Sequence, residues 1–172
     1  VSDDDGIGAL AVREDVPLRT AMARFASGVT VLTVAGKRVH GMTANAFSSV
    51  SLDPPLVLCC VAHSAVMHDA VVEAGHFAVS IAAAGQQAVA SHFADKARPD
   101  GLAQFEGIGW APGPHTGAPL LTGAVAWLEC ALVESHVAGD HTIFIGAVLQ
   151  STCGPDREPL LYFDGGYRRV ST

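Results

Sequence analysis

Apolar and polar positions alternate along this chain with two different periods, and the changes of period mark its elements. Leu18, Ala21, Met22 and Phe25 recur at i, i+3, i+4 and i+7, which places them on one stripe of a helix. Asp15 stands where it could cap that helix, Pro17 opens the first turn, and Ser27-Gly28 is the expected stop. Residues 29–34, VTVLTV, are β-branched and alternating, so they read as a strand. Gly36-Lys37-Arg38 makes a turn, and the chain from His40 onward returns as the hairpin partner.

Asp53-Pro54-Pro55 leads into an apolar run over 56–61. Ser64 is placed to cap a second helix whose stripe is Met67, Ala70, Val71 and Ala74, stopped by Gly75. A strand over 77–81, a short helix over 86–93 and a polar loop over 94–104 follow. Pro112-Gly113-Pro114-His115-Thr116-Gly117-Ala118-Pro119 reads as loop throughout. Two long strands, 124–137 and 141–150, are joined by the turn Ala138-Gly139-Asp140, and a last strand over 160–163 precedes the tail Gly165-Gly166-Tyr167-Arg168-Arg169. Strands follow strands through short turns, with helices between only some of them. That excludes a regular βαβ alternation and predicts a mainly β fold, an antiparallel barrel or sandwich with a few helices packed on it. At 172 residues the chain is expected to be one domain, 1–172, with 1–14 a flexible, acidic N-terminal segment.

Composition narrows the function classes. A net charge of −7 and basic residues scattered as pairs at most, Lys37-Arg38 and Arg168-Arg169, argue against nucleic acid. Apolar runs fall short of the roughly 18 residues of a membrane span. Hydrophobic content of 49% against 16% charged leaves too little charge to cover the surface, so part of it is expected to meet a second copy of the chain. Cys59, Cys60, Cys130 and Cys153 do not make a disulfide framework in a chain this size, which suggests a reducing, cytoplasmic setting.

Common catalytic motifs are missing. There is no G-x-S-x-G elbow, Walker loop or H-E-x-x-H, and Gly6-Ile7-Gly8 lacks the third glycine of a dinucleotide fingerprint. His63 and His68 lie five apart, on different faces of a helix, which speaks against a shared metal. A serine hydrolase built on Ser48 or Ser49 would need a neighbouring base and ranks as a distant reading.

Three segments carry potential chemistry. The first, GMTANAFSSVSLDPPLVLCC from Gly41 to Cys60, is small and hydroxyl-rich in its middle and contains Asn45, the chain's sole asparagine. An extended backbone at Thr43-Ala44-Asn45 offers donors and acceptors at fixed spacing to the edge of a flat polar ring. Asn45 can hold a hydroxylated chain, and Ser48, Ser49 and Ser64 can bond a phosphate. A hydroxyl-rich edge strand followed by a turn accounts for the same residues equally well. The second segment, Cys60-Val61-Ala62-His63-Ser64, runs from a strand end into a helix start, where free amides favour an anion. The third, Gly139-Asp140-His141-Thr142-Ile143-Phe144-Ile145-Gly146, sets an acid and an imidazole at the head of an apolar strand.

Together, G-M-T-A-N-A-F-S-S-V-S-L-D-P-P-L-V-L, C-V-x-x-S and G-D-H-T-I-F-I-G resemble the flavin reductase-like family of short-chain NAD(P)H:flavin oxidoreductases. These are the reductase halves of two-component flavin monooxygenases. The likeness runs from Met22 to Phe163. It implies a flavin-binding split β-barrel (Greek-key, antiparallel) that forms a homodimer, uses NADH (NADPH possible) and FAD or FMN, and serves a separate flavin-dependent monooxygenase. It further implies that Thr43, Ala44 and Asn45 face the isoalloxazine and ribityl parts, with Ser48, Ser49 and Ser64 near the phosphate. Cys60 and Val61 would lie along the ring or ribityl chain, His92 and Phe93 in a stretch near the flavin, His141 by the nicotinamide as its orienter, and Tyr167 over a ring. His141 has a plainer role open to it, a turn histidine satisfied by Asp140, and Phe163 a packing role. Met67 replaces a threonine many relatives carry near the phosphate, and Ala147 a glutamate. No catalytic nucleophile or metal is required, because the cofactor does the hydride chemistry. The alternative is a flavoprotein that keeps its flavin as an electron carrier or cofactor-binding module.

Overall fold

The computed structural model describes residues 15–155 and 158–170. The expectation for residues 1–14 lies outside these. Seven strands form one antiparallel sheet: β2 (Thr30–Val34), β3 (His40–Ala44), β4 (Phe47–Leu52), β5 (Pro55–Ala62), β6 (His76–Ile81), β9 (Ala126–Ala138) and β10 (His141–Cys153). Their spatial order is β3-β2-β6-β9-β10-β5-β4. Two small sheets accompany it. One joins β1 (Ser27–Gly28), β11 (Leu161–Phe163) and β12 (Gly166–Arg168); the other pairs β7 (Trp110–Pro112) with β8 (Pro119–Leu121).

Sequence neighbours β3 and β4 therefore occupy opposite edges of the large sheet. Six interstrand spacings of about 4.8 Å would hold the edges of a flat sheet about 29 Å apart. Yet only Asn45 and Ala46 separate the two strands, a reach of about 10 Å. The sheet must curl until its edges approach. The return of the chain from His40 onward as the partner of β2 stops at Ala44 for this reason. The chain switches edges there, and Cys60 N–H donates to Ala46 O at 2.9 Å.

Helix α2 (Val66–Ala74) fills the inside of the curl. Met67, Ala70 and Val71 pack with Leu32, Val34, Val57, Cys59, Val61, Phe77, Val79 and Phe144 in the main core. The stripe and the stop at Gly75 (φ 68) are as expected, but Ala65 stands at the N-cap and Ser64 makes no cap. Met67 is fully buried here, so its side chain faces the core. All five residues of β2 are buried because both its faces are covered. Leu32 and Val34 point into the main core, while Val31 packs with Phe93 of α3 (Gln87–Ala94), Phe105 and Leu121 on the other side.

Other expectations are corrected. Asp15 does not cap α1 (Leu18–Met22); the N-cap is Pro17, without a side-chain bond. Leu18 and Phe25 are 77% and 69% exposed, so the stripe does not enter the core. Ser27-Gly28 is a strand paired with Tyr162 and Leu161. The polar loop contains a 3-10 helix, Gly101–Phe105. The proline-rich loop is pinned at both ends, Pro112 opposite Pro119. Its turn is held by buried Glu129, whose Oε1 accepts from His115 N–H, Thr116 N–H and Thr116 Oγ1. The supposed tail is a hairpin, Phe163 opposite Gly166, through Asp164 (φ 49) and Gly165 (φ 73).

Candidate active site

The two-residue switch at Asn45-Ala46 lies between two cavities. The first, of 630 Å³, is bounded by Arg19, Met22, Phe25, Val29, Tyr162 and Tyr167. The second, of 450 Å³, is bounded by Cys60, Ser64, Phe93, Lys96, Arg98 and His141 among others. Thr43, Ala44, Asn45 and Ala94 border both. Both volumes fall in the range of about 300–1,000 Å³ usual for small-molecule sites.

This geometry follows from β3 being an edge strand, with a ladder on one side only. Its outer side is taken up locally. Gly41 N–H donates to Gln104 Oε1 at 2.8 Å, Gly41 O accepts from Arg98 Nη2, and Thr43 Oγ1 donates to Ala90 O at 2.6 Å. A Cβ on Gly41 would sit 2.7 Å from Phe93 Cε1, so glycine is what lets α3 press close. Asn45 is exposed, with Nδ2 donating to Ser27 Oγ at 3.2 Å.

Arg98 closes one wall of the second cavity. Its Nη1 donates to Asp95 O at 2.6 Å and its Nη2 to His40 Nε2 at 3.0 Å. Burial lowers the Arg98 pKa from its ordinary value, opposed by Asp100 and Asp95. Burial, with Arg98 adding to it, pushes His40 down to about 4. His40 is thus neutral and accepts at Nε2. Lys96, exposed on the same wall, has no ion-pair partner among the described residues. Also bordering the second cavity, His141 Nδ1 meets Asp140 Oδ1 at 2.7 Å, and that bond to His141 holds the Asp140 carboxyl below its ordinary range.

The predicted residues do not all share the site. Thr43, Ala44, Asn45, Cys60, Ser64, Phe93, His141 and Tyr167 all border one or both cavities. Ser48 and Ser49 are exposed on β4, outside both, Ser48 Oγ donating to Ser49 O. Val61 is 1% exposed in the main core. His92 points away, its Nε2–H donating to Gln104 O at 2.7 Å. Phe163 lies outside both cavities; Tyr162 is the aromatic neighbour of Tyr167, with centroids 5.6 Å apart. Burial raises the Tyr167 pKa, against a hydrogen bond with Ser91.

Sequence reasoning missed Lys96, Arg98, His40, Arg19 and Tyr162. The only signal for the first two was a pair of cations inside the polar loop after α3. The spacing argument on His63 and His68 also needs correcting. His63 precedes α2, and both rings reach Thr142 Oγ1, at 3.1 and 2.9 Å. No described residues group into a metal site of three or more ligands. Cys59 and Cys130 are pushed up to about 12 by burial, assisted by Cys60 and Glu129 respectively, among others, so neither is a nucleophile. No described helix is long and apolar enough to cross a membrane.

The site fits a nucleotide with a flat ring. It has an extended polar edge, small walls at Ala44, Ala46 and Ala62, and Lys96, without an ion-pair partner among the described residues, in its lining. Comparison with known proteins agrees. Residues 22–171 match the model of the flavin reductase like domain. The chain is 50% identical over 159 residues to the NADH-dependent FAD reductase of Streptomyces globisporus, covering 92% of this chain and 87% of that protein. It is 41% identical over 153 residues to the reductase component of 4-hydroxyphenylacetate 3-monooxygenase from Thermus thermophilus, covering 88% and 94%. The structure of the Streptomyces globisporus NADH:FAD oxidoreductase in complex with NAD and FAD fragments superposes with a TM-score of 0.85 at 49% identity, covering 90% of this chain and 91% of that one. A mainly β chain whose edge strand borders two cavities, matched over nearly its whole length, belongs to the flavin reductase like domain family.

Proposed function

We propose that this chain is an NADH-dependent flavin reductase that releases reduced FAD or FMN to a separate flavin-dependent monooxygenase. The observation that carries the reading is the extended Thr43-Ala44-Asn45 segment bordering both cavities, with Lys96 and His141 on walls of the second. Curling of the large sheet round α2, with β3 and β4 meeting at the switch, supports reading the fold as a split β-barrel and the chain as one domain. Bound flavin supplies the hydride acceptor. The protein's share is to bind, orient and keep water out.

Main-chain groups at 43–46 hold the polar edge of the ring, and Ala44, Ala46 and Ala62 let it approach closely. Asn45 engages the ribityl chain. Ser64 and Lys96 take the phosphate; Ser48 and Ser49, expected beside it, lie outside both cavities. Cys60 and Phe93 bound the ring pocket, while Tyr162 and Tyr167 shape the adjoining space. His141, held by Asp140, orients the nicotinamide and is not a proton donor. The likeness to NADH-dependent relatives supports NADH.

The test is NADH oxidation with FAD and FMN in turn. Oxidation should depend on added flavin and continue over many turnovers. Protein that stays yellow through desalting yet oxidises no NADH would sink this reading in favour of a carrier.

A further inference from the structure

We propose that Thr142 is a positioning residue for His141, acting through a hydrogen-bonded chain from His63 through Thr142 to His68 and Asp69. The proposal rests on the reading that His141 meets the nicotinamide. His141 and Thr142 are consecutive on β10, so their side chains leave opposite faces of the sheet. His141 borders the second cavity, whereas Thr142 is 4% exposed beneath it.

There one hydroxyl serves two imidazoles. His68 Nε2 and His63 Nε2 lie 2.9 and 3.1 Å from Thr142 Oγ1, and the two rings meet edge to face with centroids 5.2 Å apart. The other end fixes the polarity. His68 Nδ1 lies 2.9 Å from Asp69 Oδ1, and an ionised carboxylate only accepts, so Nδ1 of neutral His68 carries the proton. Its Nε2 then accepts from the Thr142 hydroxyl, which has no second proton to give. His63 must donate to Thr142 from Nε2–H.

Three separate elements are tied at this point. His68 belongs to α2, Thr142 to β10, and His63 lies in the link that carries Ser64. His63 N–H also donates to Asp140 O at 3.0 Å, so the chain reaches the turn whose carboxylate holds the His141 ring. The His63 main chain thus links the Thr142 cluster to the Asp140 turn, and the turn carries the imidazole that borders the second cavity. Side-chain packing alone would not demand a hydroxyl here, since valine fills the same space on a buried strand.

The experiment compares variants of the full chain in steady-state NADH oxidation and reads histidine nitrogens by NMR in isotope-labelled wild-type protein. Thr142→Val should raise KM for NADH about fivefold, the size of one lost hydrogen bond, and leave KM for flavin unmoved. Thr142→Ser should restore the wild-type value. The spectra should show neutral His68 protonated at Nδ1 and His63 at Nε2. If His141→Ala raises KM for NADH while Thr142→Val does not, this inference is wrong and the reading of His141 stands. If His141→Ala has no effect, the reading of His141 itself fails, and the inference with it. A Thr142→Val defect that Ser does not rescue, or that strikes flavin equally, reduces Thr142 to packing and overturns the proposal. Neutral His68 protonated at Nε2 overturns the chain whatever the kinetics.

Discussion

Lys96 and Arg98 sit two residues apart on one cavity wall, yet they are not equivalent. Arg98 is spent on Asp95 O, Gly41 O and His40, whereas Lys96 is exposed and unpaired among the described residues. A cation without a partner is the one available to a phosphate. Lys96→Ala should therefore raise KM for flavin, with the defect shrinking as salt is added and screening grows. An unchanged KM at low salt would remove Lys96 from the site. His40 makes a pH prediction. With its native pKa near 4 and the ordinary value 6.5, the unfolded chain binds a proton that the native state refuses. Stability should fall as pH drops below about 6.5 and level off below about 4. Urea unfolding across that window checks it: His40→Gln, which keeps an acceptor for Arg98, should flatten the slope.

Among the elements, β10 shows how tightly the curl is packed. Its register against β9 shifts between Ile145 and Gly146, and a Cβ on Gly146 would lie 2.6 Å from Phe77 Cζ and 2.9 Å from Cys130 Cβ. Neither neighbour is a flexible chain end. Gly146→Ala should overpack this point and cost about 1–3 kcal/mol, read from the urea midpoint. A midpoint equal to wild type would show that the bulge yields. The hairpin of β11 and β12 has the same local logic: Asp164 and Gly165 both have positive φ, the backbone of a tight two-residue turn. It carries Tyr162 and Tyr167 to the first cavity.

For the molecule as a whole, β9 is the telling strand. Its pairing with β6 runs from Ala126 to Ala131 only, while β10 follows it to Ala138. Residues 133–138 are all exposed, including Val133 and Val137 at 50% and 79%. An edge this long and partly apolar invites a second copy, as do exposed Leu18 and, beside the first cavity, Met22 and Phe25. The proposed homodimer should appear in light scattering at twice the 17.7 kDa chain mass, and Val137→Asp should weaken it. A monomer at working concentrations would refute the assembly without touching the site.

Much of this protein was legible in its sequence. Periodicity found α2, α3 and most strands, because burial against one face imposes a local period whatever the partner. Asp164-Gly165 was legible too, a turn dipeptide passed over as tail. The 43–46 segment stood out by its small polar composition. What the sequence could not reveal is which edges meet. The switch of β3 and β4 to opposite sides of the sheet depends on contacts far apart in the chain, and it puts Asn45 on the border of both cavities. The same applies to Lys96 and Arg98, to Val61 facing inward, and to His63 joining His68 across Thr142. Local pattern determines elements and turns because neighbours along the chain impose it. Only the long-range arrangement of the strands decides which side chains share a cavity, since that is set by pairing and packing between distant parts of the chain.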